Sequence, residues 1–163
     1  MNLGENLVGS ALQSLGYFTI QGLREGVREA DFLAIKIENK KTYFYHIEVQ
    51  LSHNPVGVLR PSARFGTSEK NPQKSAKGFI EKKFYQKKLC KKIEKVFGTK
   101  KYDRMFIYGR LKNPKQLNIF EARGINCISI GELIQKAAHS DAQTEALKSF
   151  CGISSQINEN SSR

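Results

Sequence analysis

Ala30-Asp-Phe-Leu-Ala-Ile-Lys-Ile37 and Thr42-Tyr-Phe-Tyr-His-Ile-Glu-Val-Gln-Leu51 are neighbouring runs, separated by Glu38-Asn-Lys-Lys41. Both are rich in β-branched and aromatic residues, so they read as two strands joined by a tight turn at Asn39-Lys-Lys41. Each carries a carboxylate, Asp31 in the first and Glu48 in the second. Carboxylates inside strand-like sequence are costly to keep there unless something, most often a metal ion, uses their charge. Strand alternation puts Glu48 and Gln50 on one face of the second run, and Ile47, Val49 and Leu51 on the other. If Asp31 faces the same way, two carboxylates and the Val49 carbonyl form an oxygen donor set suited to Mg²⁺ or Mn²⁺. The plainer alternative pairs both acids with some of the many lysines.

Outward from this hairpin, Leu3, Leu7, Ala11, Leu12 and Leu15 recur at helical spacing before Gly16, which predicts an opening helix from about residue 3 to 15. Tyr17-Phe-Thr-Ile20 reads as a short first strand, followed by a charged turn over 23–29; the strand carrying Asp31 is expected over 30–38. Prolines 55, 61 and 72 and glycines 57 and 66 make 53–76 a long loop, and it contains Arg60, Arg64, Lys70 and Lys74 beside Phe65. From Lys77 to Phe97, Ile80, Phe84, Leu89, Ile93, Val96 and Phe97 give one apolar stripe, expected on a single amphipathic helix with a basic outer surface. A fourth strand over 103–108, a short helix over 114–122, a fifth strand over 125–130 and a last helix over 131–150 complete the reading. This is one α/β domain over 1–153, a mixed β-sheet flanked by helices, with a frayed tail at 154–163.

Charge narrows the partner. The chain carries 27 Lys and Arg against 15 Asp and Glu in 163 residues, a formal +12. Ten lysines between Lys77 and Lys101 face only Glu81 and Glu94, so this stretch contributes +8. Clustered cations steer anions, and the expected partner is a polyanion, although a solvated lysine-rich face is the plainer reading of such a run taken alone. Cys90, Cys127 and Cys151 are odd in number, far apart and without zinc-finger spacing, so they read as reduced and mostly buried thiols. No apolar run approaches the roughly 20 residues that span a bilayer. A cytoplasmic or nucleoid-associated location is expected.

Taken together, Glu5 in an opening helix, Asp31 at a strand start, Glu48-Val-Gln50 in the next strand and a basic helix after it resemble the PD-(D/E)XK nuclease superfamily, the restriction-endonuclease-like fold. The resemblance extends from about residue 3 to 130, and Arg104-Met-Phe-Ile-Tyr-Gly109 with Gly124-Ile-Asn-Cys-Ile-Ser-Ile130 resemble its last two core strands. It implies an αβββαβ core and a metal-dependent DNA endonuclease: a restriction enzyme, a resolvase or a repair-type nuclease. Asp31 and Glu48 would hold Mg²⁺ (or Mn²⁺), Val49 would give its backbone carbonyl, and Glu5 would support the metal through water. The family's lysine, two residues after the glutamate, orients the attacking water; here that position is Gln50, and Ala30 stands where the family often has proline. Some restriction enzymes of this fold work with glutamine there, and elsewhere in the superfamily the lysine migrates to the following helix. Lys77, at the expected start of that helix, is the candidate substitute, ahead of Lys74.

DNA would be gripped through phosphates by Arg60, Arg64, Lys74, Lys82, Lys83, Lys87, Lys88 and Lys91, with RNA not excluded. Cleavage of both strands would need a homodimer. The alternative of another class is a catalytically inactive nucleic-acid-binding module of the same fold, its lysine lost to Gln50. His46 shares the face of Glu48 and could approach the metal or phosphate, or be a hydrogen-bonded sheet histidine. His53 reads as a loop residue and His139 as a surface residue. Tyr43 to Tyr45 read as core and sheet surface.

Overall fold

A computed structural model describes residues 3–51, 72–111 and 114–140, with backbone alone at 72–75. Helix α1 (Leu3–Ser14) leads into strands β1 (Tyr17–Glu25), β2 (Arg28–Glu38) and β3 (Lys41–Gln50). Helices α2 (Pro72–Phe84) and α3 (Lys87–Phe97) precede β4 (Asp103–Tyr108), a 3-10 turn at Pro114–Gln116, α4 (Leu117–Glu121), β5 (Ile125–Ser129) and α5 (Ile130–Ala138). The strands form one five-stranded mixed sheet in the order β1-β2-β3-β4-β5. The first three are antiparallel neighbours, whereas β4 runs parallel to β3 and β5 parallel to β4. An antiparallel meander followed by crossovers is what the expected element order requires.

The β2–β3 turn explains itself locally. Asn39 and Lys40 both adopt positive φ, 51° and 61°, between the paired residues Glu38 and Lys41. This is the two-residue hairpin geometry whose twist suits the flanking strands, and asparagine tolerates it better than most residues. Its register pairs Phe32 with Ile47 and Leu33 with His46. That register carries Asp31 alongside Glu48.

Alternation then sorts the sheet's two faces. Phe32, Ala34, Ile47 and Ile107 pack with Val8, Ala11 and Leu12 of α1 and Leu133 of α5. On the opposite face, Phe106 and Ile125 meet Ala76, Ile80 and Phe84 of α2 and Phe120 of α4, while Leu33 meets Leu89 and Ile93 of α3. A helix layer thus covers each side, and the α2 side is the one to which Glu48 points.

The single helix expected over 77–97 is instead two, and the first begins at Pro72, inside the segment expected as a long loop, whose residues 53–71 lie outside the described residues. Proline suits a first helical turn, where its missing N–H would be unpaired in any case. The break at Tyr85–Gln86 has a reason in the spacing. Three and four residues after Phe84, a continuous helix would turn Lys87 and Lys88 toward the core, while Leu89, five residues on, would lie off the stripe. Restarting the helix returns Leu89 and Ile93 to the core, both essentially buried. The Gln86 side chain caps the new start, accepting from the Leu89 N–H at 2.7 Å. Gly98, at φ 68°, ends α3 in the left-handed conformation that glycine adopts without strain.

Smaller differences follow from pairing and capping. β1 extends to Glu25 because β2 begins at Arg28 and continues the ladder through the expected turn; Gly26, at φ 58°, makes the reversal. α5 starts one residue early, at Ile130, since Ser129 and Glu132 form a reciprocal capping box. Among the described residues α5 ends at Ala138, and the remainder of the expected helix, Cys151 and the tail at 154–163 lie outside them. Cys90 and Cys127 are free and half-buried, and burial pushes the Cys127 thiol up to about 12, consistent with unreactive thiols. No helix among the described residues is long and apolar enough to cross a membrane.

Candidate active site

Asp31 and Glu48 meet on the α2 face of the sheet, and a lysine from α2 lies between them. Lys83 Nζ is 2.6 Å from Glu48 Oε2 and 3.4 Å from Asp31 Oδ1. The other Asp31 oxygen, Oδ2, accepts from the Val49 N–H at 2.7 Å, which locks the aspartate across the β2–β3 pair. The other Glu48 oxygen, Oε1, lies 2.8 Å from His46 Nε2. Glu48 and His46 are fully buried. Asp31 opens slightly to solvent.

This geometry sets the charges. Burial pushes the Glu48 carboxyl up to about 7, against the pull of the Lys83 ammonium. Burial, then the Glu48 charge, raises Asp31 to about 6, although Lys83 and the Val49 N–H pull the other way. Burial disfavours the Lys83 ammonium as well, but Glu48 and Asp31 together outweigh it and leave its pKa raised. His46 is driven down to about 3, by burial first and the Arg104 charge second, so its ring is neutral. The result is two carboxylates crowded around one cation, with less positive charge than they can use.

Lys83 was expected on the outer, phosphate-gripping surface, and its inward position has a helical explanation. Residues 76, 80, 83 and 84 share one face of α2, and Ala76, Ile80 and Phe84 are its buried contacts with the sheet. Lys83 flanks that stripe, so its aliphatic stem runs over apolar surface while the ammonium reaches the carboxylates. The signal was present in the sequence as the seven-residue step from Ala76, hidden by the lysines around it. Lys77 is six residues from Lys83, on the other side of α2, and is exposed. It stays apart from the pair, and the side chain of Lys74 lies outside the described residues.

A joint between α2 and α3 holds Lys83 in place. Arg104 of β4 donates from Nε to the Phe84 carbonyl at 3.3 Å, capping the end of α2. Its guanidinium lies between the rings of Tyr85 and Tyr102, 4.5 and 4.8 Å from their centroids, and Nη2 donates to the Tyr102 hydroxyl at 3.4 Å. Arg104 is the strand partner of His46, whose ring stands 5.2 Å from that of Phe84. Neither contact was anticipated from sequence, because both depend on the parallel register of β4 beside β3.

The remaining expected site residues are placed as follows. Gln50 follows Glu48 on β3, half-buried, its carbonyl accepting from the Gly109 N–H at 3.1 Å. Glu5 lies in the first turn of α1, where its Oε2 accepts from Gln21 Nε2 at 3.4 Å. Among the described residues no hydrogen bond or ion pair joins Glu5 to Asp31 or Glu48. Lys82, Lys87, Lys88 and Lys91 are exposed, whereas Lys92 is tied to Glu25 and to the Arg24 carbonyl. Arg60, Arg64 and His53 lie outside the described residues, and His139 is an exposed residue just past α5.

The donor chemistry suits a small hard cation. Glu48 Oε2 is buried, with the Lys83 ammonium 2.6 Å from it. No group of three or more His, Cys, Asp or Glu side chains gathers as a metal cage among the described residues. Mg²⁺ does not ask for one: it is commonly held by one or two carboxylates, keeps several waters and completes its shell with substrate phosphate. Asp31 Oδ1 and Glu48 Oε2 are the two atoms that could serve such an ion, and the Lys83 ammonium that lies between them would have to move aside to admit it. Comparison of the chain with protein-family models, curated proteins and solved structures finds no match.

Proposed function

We propose that this chain is a metal-dependent endodeoxyribonuclease of PD-(D/E)XK type, with Asp31 and Glu48 as the residues that hold Mg²⁺ or Mn²⁺. The observation that carries the reading is the convergence of both carboxylates on Lys83, which supplies from α2 the positive charge that Gln50 cannot. The order α1-β1-β2-β3-α2/α3-β4, with β4 parallel to β3, also agrees with the αβββαβ core implied by the sequence resemblance.

A bound divalent ion would lower the pKa of its water and offset charge on a phosphoryl oxygen. The chain's own groups do the rest. The Lys83 ammonium, raised in pKa and so protonated at neutral pH, stabilises the negative charge that grows on the scissile phosphate. Gln50 offers an amide that can accept from and donate to the attacking water. The Val49 N–H and the Arg104 cap keep Asp31 and the end of α2 from drifting as charge moves. Exposed Lys82, Lys87, Lys88 and Lys91 lie on the same helices and suit contacts to phosphates. One such site cuts one strand, and a second copy of the chain would be required to cut both.

The lysine–dicarboxylate cluster is also what a binding module without catalysis would keep, its charges mutually compensated, and this is the second reading. Incubation with supercoiled plasmid and Mg²⁺ or Mn²⁺ separates the two. The nuclease nicks the plasmid, and Asp31→Ala and Glu48→Ala each abolish nicking. Tight DNA binding without nicking under either metal supports the binding module instead.

A further inference from the structure

His46 is fully buried in the middle of β3, and its Nε2 lies 2.8 Å from Glu48 Oε1. Its other ring nitrogen, Nδ1, is also buried and has no hydrogen-bond partner among the described residues. A neutral imidazole carries one N–H, and the surroundings decide which nitrogen holds it. A proton on Nδ1 would bury a donor with nothing among the described residues to receive it, whereas a bare Nδ1 leaves only an unused lone pair. Nε2 therefore donates to Glu48.

That donation divides the work of the Glu48 carboxylate. Oε1 is held by the ring, and Oε2 is left facing Lys83 and, beyond it, Asp31 Oδ1. The ring is fully buried, packs 5.2 Å from that of Phe84 and pairs across the strands with Arg104. A buried histidine–glutamate pair is a poor choice for stability alone, because apolar residues of similar volume usually serve a sheet interior at least as well.

We propose that His46 is a positioning residue, whose Nε2–H fixes the rotamer of Glu48 so that Oε2 alone is presented, together with Asp31, to a divalent cation. The inference rests on the metal-site reading above and adds to it which oxygen binds and what holds it. An outer partner that orients a ligand typically changes metal affinity about 10- to 100-fold when removed.

The test is Mn²⁺ binding followed by electron paramagnetic resonance, in the absence of DNA, on wild type, His46→Phe and His46→Gln. Phenylalanine keeps the ring against Phe84 and loses the donor; glutamine loses the ring and keeps an N–H. Each variant is read only once circular dichroism shows it folded, and His46→Met replaces the phenylalanine variant if that one does not fold. The expected result is a Mn²⁺ dissociation constant raised about 10-fold or more without the donor and returned to within about threefold of wild type in His46→Gln. Nicking by His46→Phe should need correspondingly more Mn²⁺ and approach the wild-type rate when the metal saturates. Wild-type affinity in His46→Phe, or equal loss in both variants, overturns the role of the donor. Wild type that binds Mn²⁺ without nicking defeats the nuclease reading alone; wild type that binds no Mn²⁺ defeats both.

Discussion

Asp31 is a residue whose ionisation the fold resists. Its carboxyl is raised to about 6, above its ordinary value of 3.8, so the folded chain holds that proton more tightly than the unfolded chain does. Such a group imposes no penalty below pH 3.8, a growing one between 3.8 and about 6, and a constant one above. Asp31→Asn keeps an oxygen for the Val49 N–H and removes the charge. In metal-free buffer at pH 8 it should therefore be more stable than wild type by on the order of 1–3 kcal/mol, an advantage that shrinks as pH falls through 6 and is gone by about 4. Thermal melts across that range check the sign. Adding Mg²⁺ should raise the melting temperature of wild type and leave that of Asp31→Asn unmoved, because only the former gains from binding. This residue was legible in the sequence, since a carboxylate in a β-branched run stands out and strand alternation aims its partner Glu48. His46 was legible only as one of two options, and the hydrogen-bonded sheet histidine is the one that the geometry supports.

At the scale of elements, β2 to β5 were legible to within about two residues, whereas the second half of β1 and the break in the basic helix were not. Alternation and turn residues depend on near neighbours, so the hairpin turn at Asn39-Lys-Lys41 and the faces of β3 were legible, while the register, with Glu38 paired to Lys41 across a two-residue turn, came from the structure. The break between α2 and α3 depends instead on which lysines the core would refuse, and on a cap supplied by Arg104 from a strand that follows them in the chain. The reading of one continuous helix left Lys83 on an outer surface and selected Lys77. Arg104→Ala should remove the cap and both ring contacts, costing about 1–3 kcal/mol in denaturant unfolding. It should also slow nicking more than it weakens DNA binding, since the end of α2 that carries Lys83 is released. The same division of α3 separates its lysines by role. Reversing the charge of Lys87, Lys88 and Lys91 should weaken DNA binding alike for all sequences and reduce the salt slope by about 0.9 per lost phosphate contact. Lys92→Glu, which breaks the tie to Glu25 and Arg24, should show mainly as lost stability. Titrations at several salt concentrations tell these outcomes apart.

Across the whole molecule, a mixed sheet with a helix layer on each face brings three chain segments to one point: Asp31 from β2, Glu48 from β3 and Lys83 from α2. The mixed sheet flanked by helices was accessible from element order and the carboxylate pair from strand alternation; Lys83 was marked only by its seven-residue step from Ala76, and its place depends on how α2 crosses the sheet. On the proposed reading, the +12 charge would attract a polyanion and the buried cluster would supply the chemistry. These two functions should come apart experimentally. The decisive comparison is the single-turnover nicking rate of wild type, Lys83→Met and Lys77→Met at saturating Mg²⁺, with enzyme in excess and DNA affinity determined for each. Loss of an electrostatic stabiliser should slow Lys83→Met by about 10²–10³ with DNA affinity changed no more than for any one exposed lysine, while Lys77→Met stays near wild type. An unimpaired rate in Lys83→Met would contradict the assignment of Lys83, and with it the active site described.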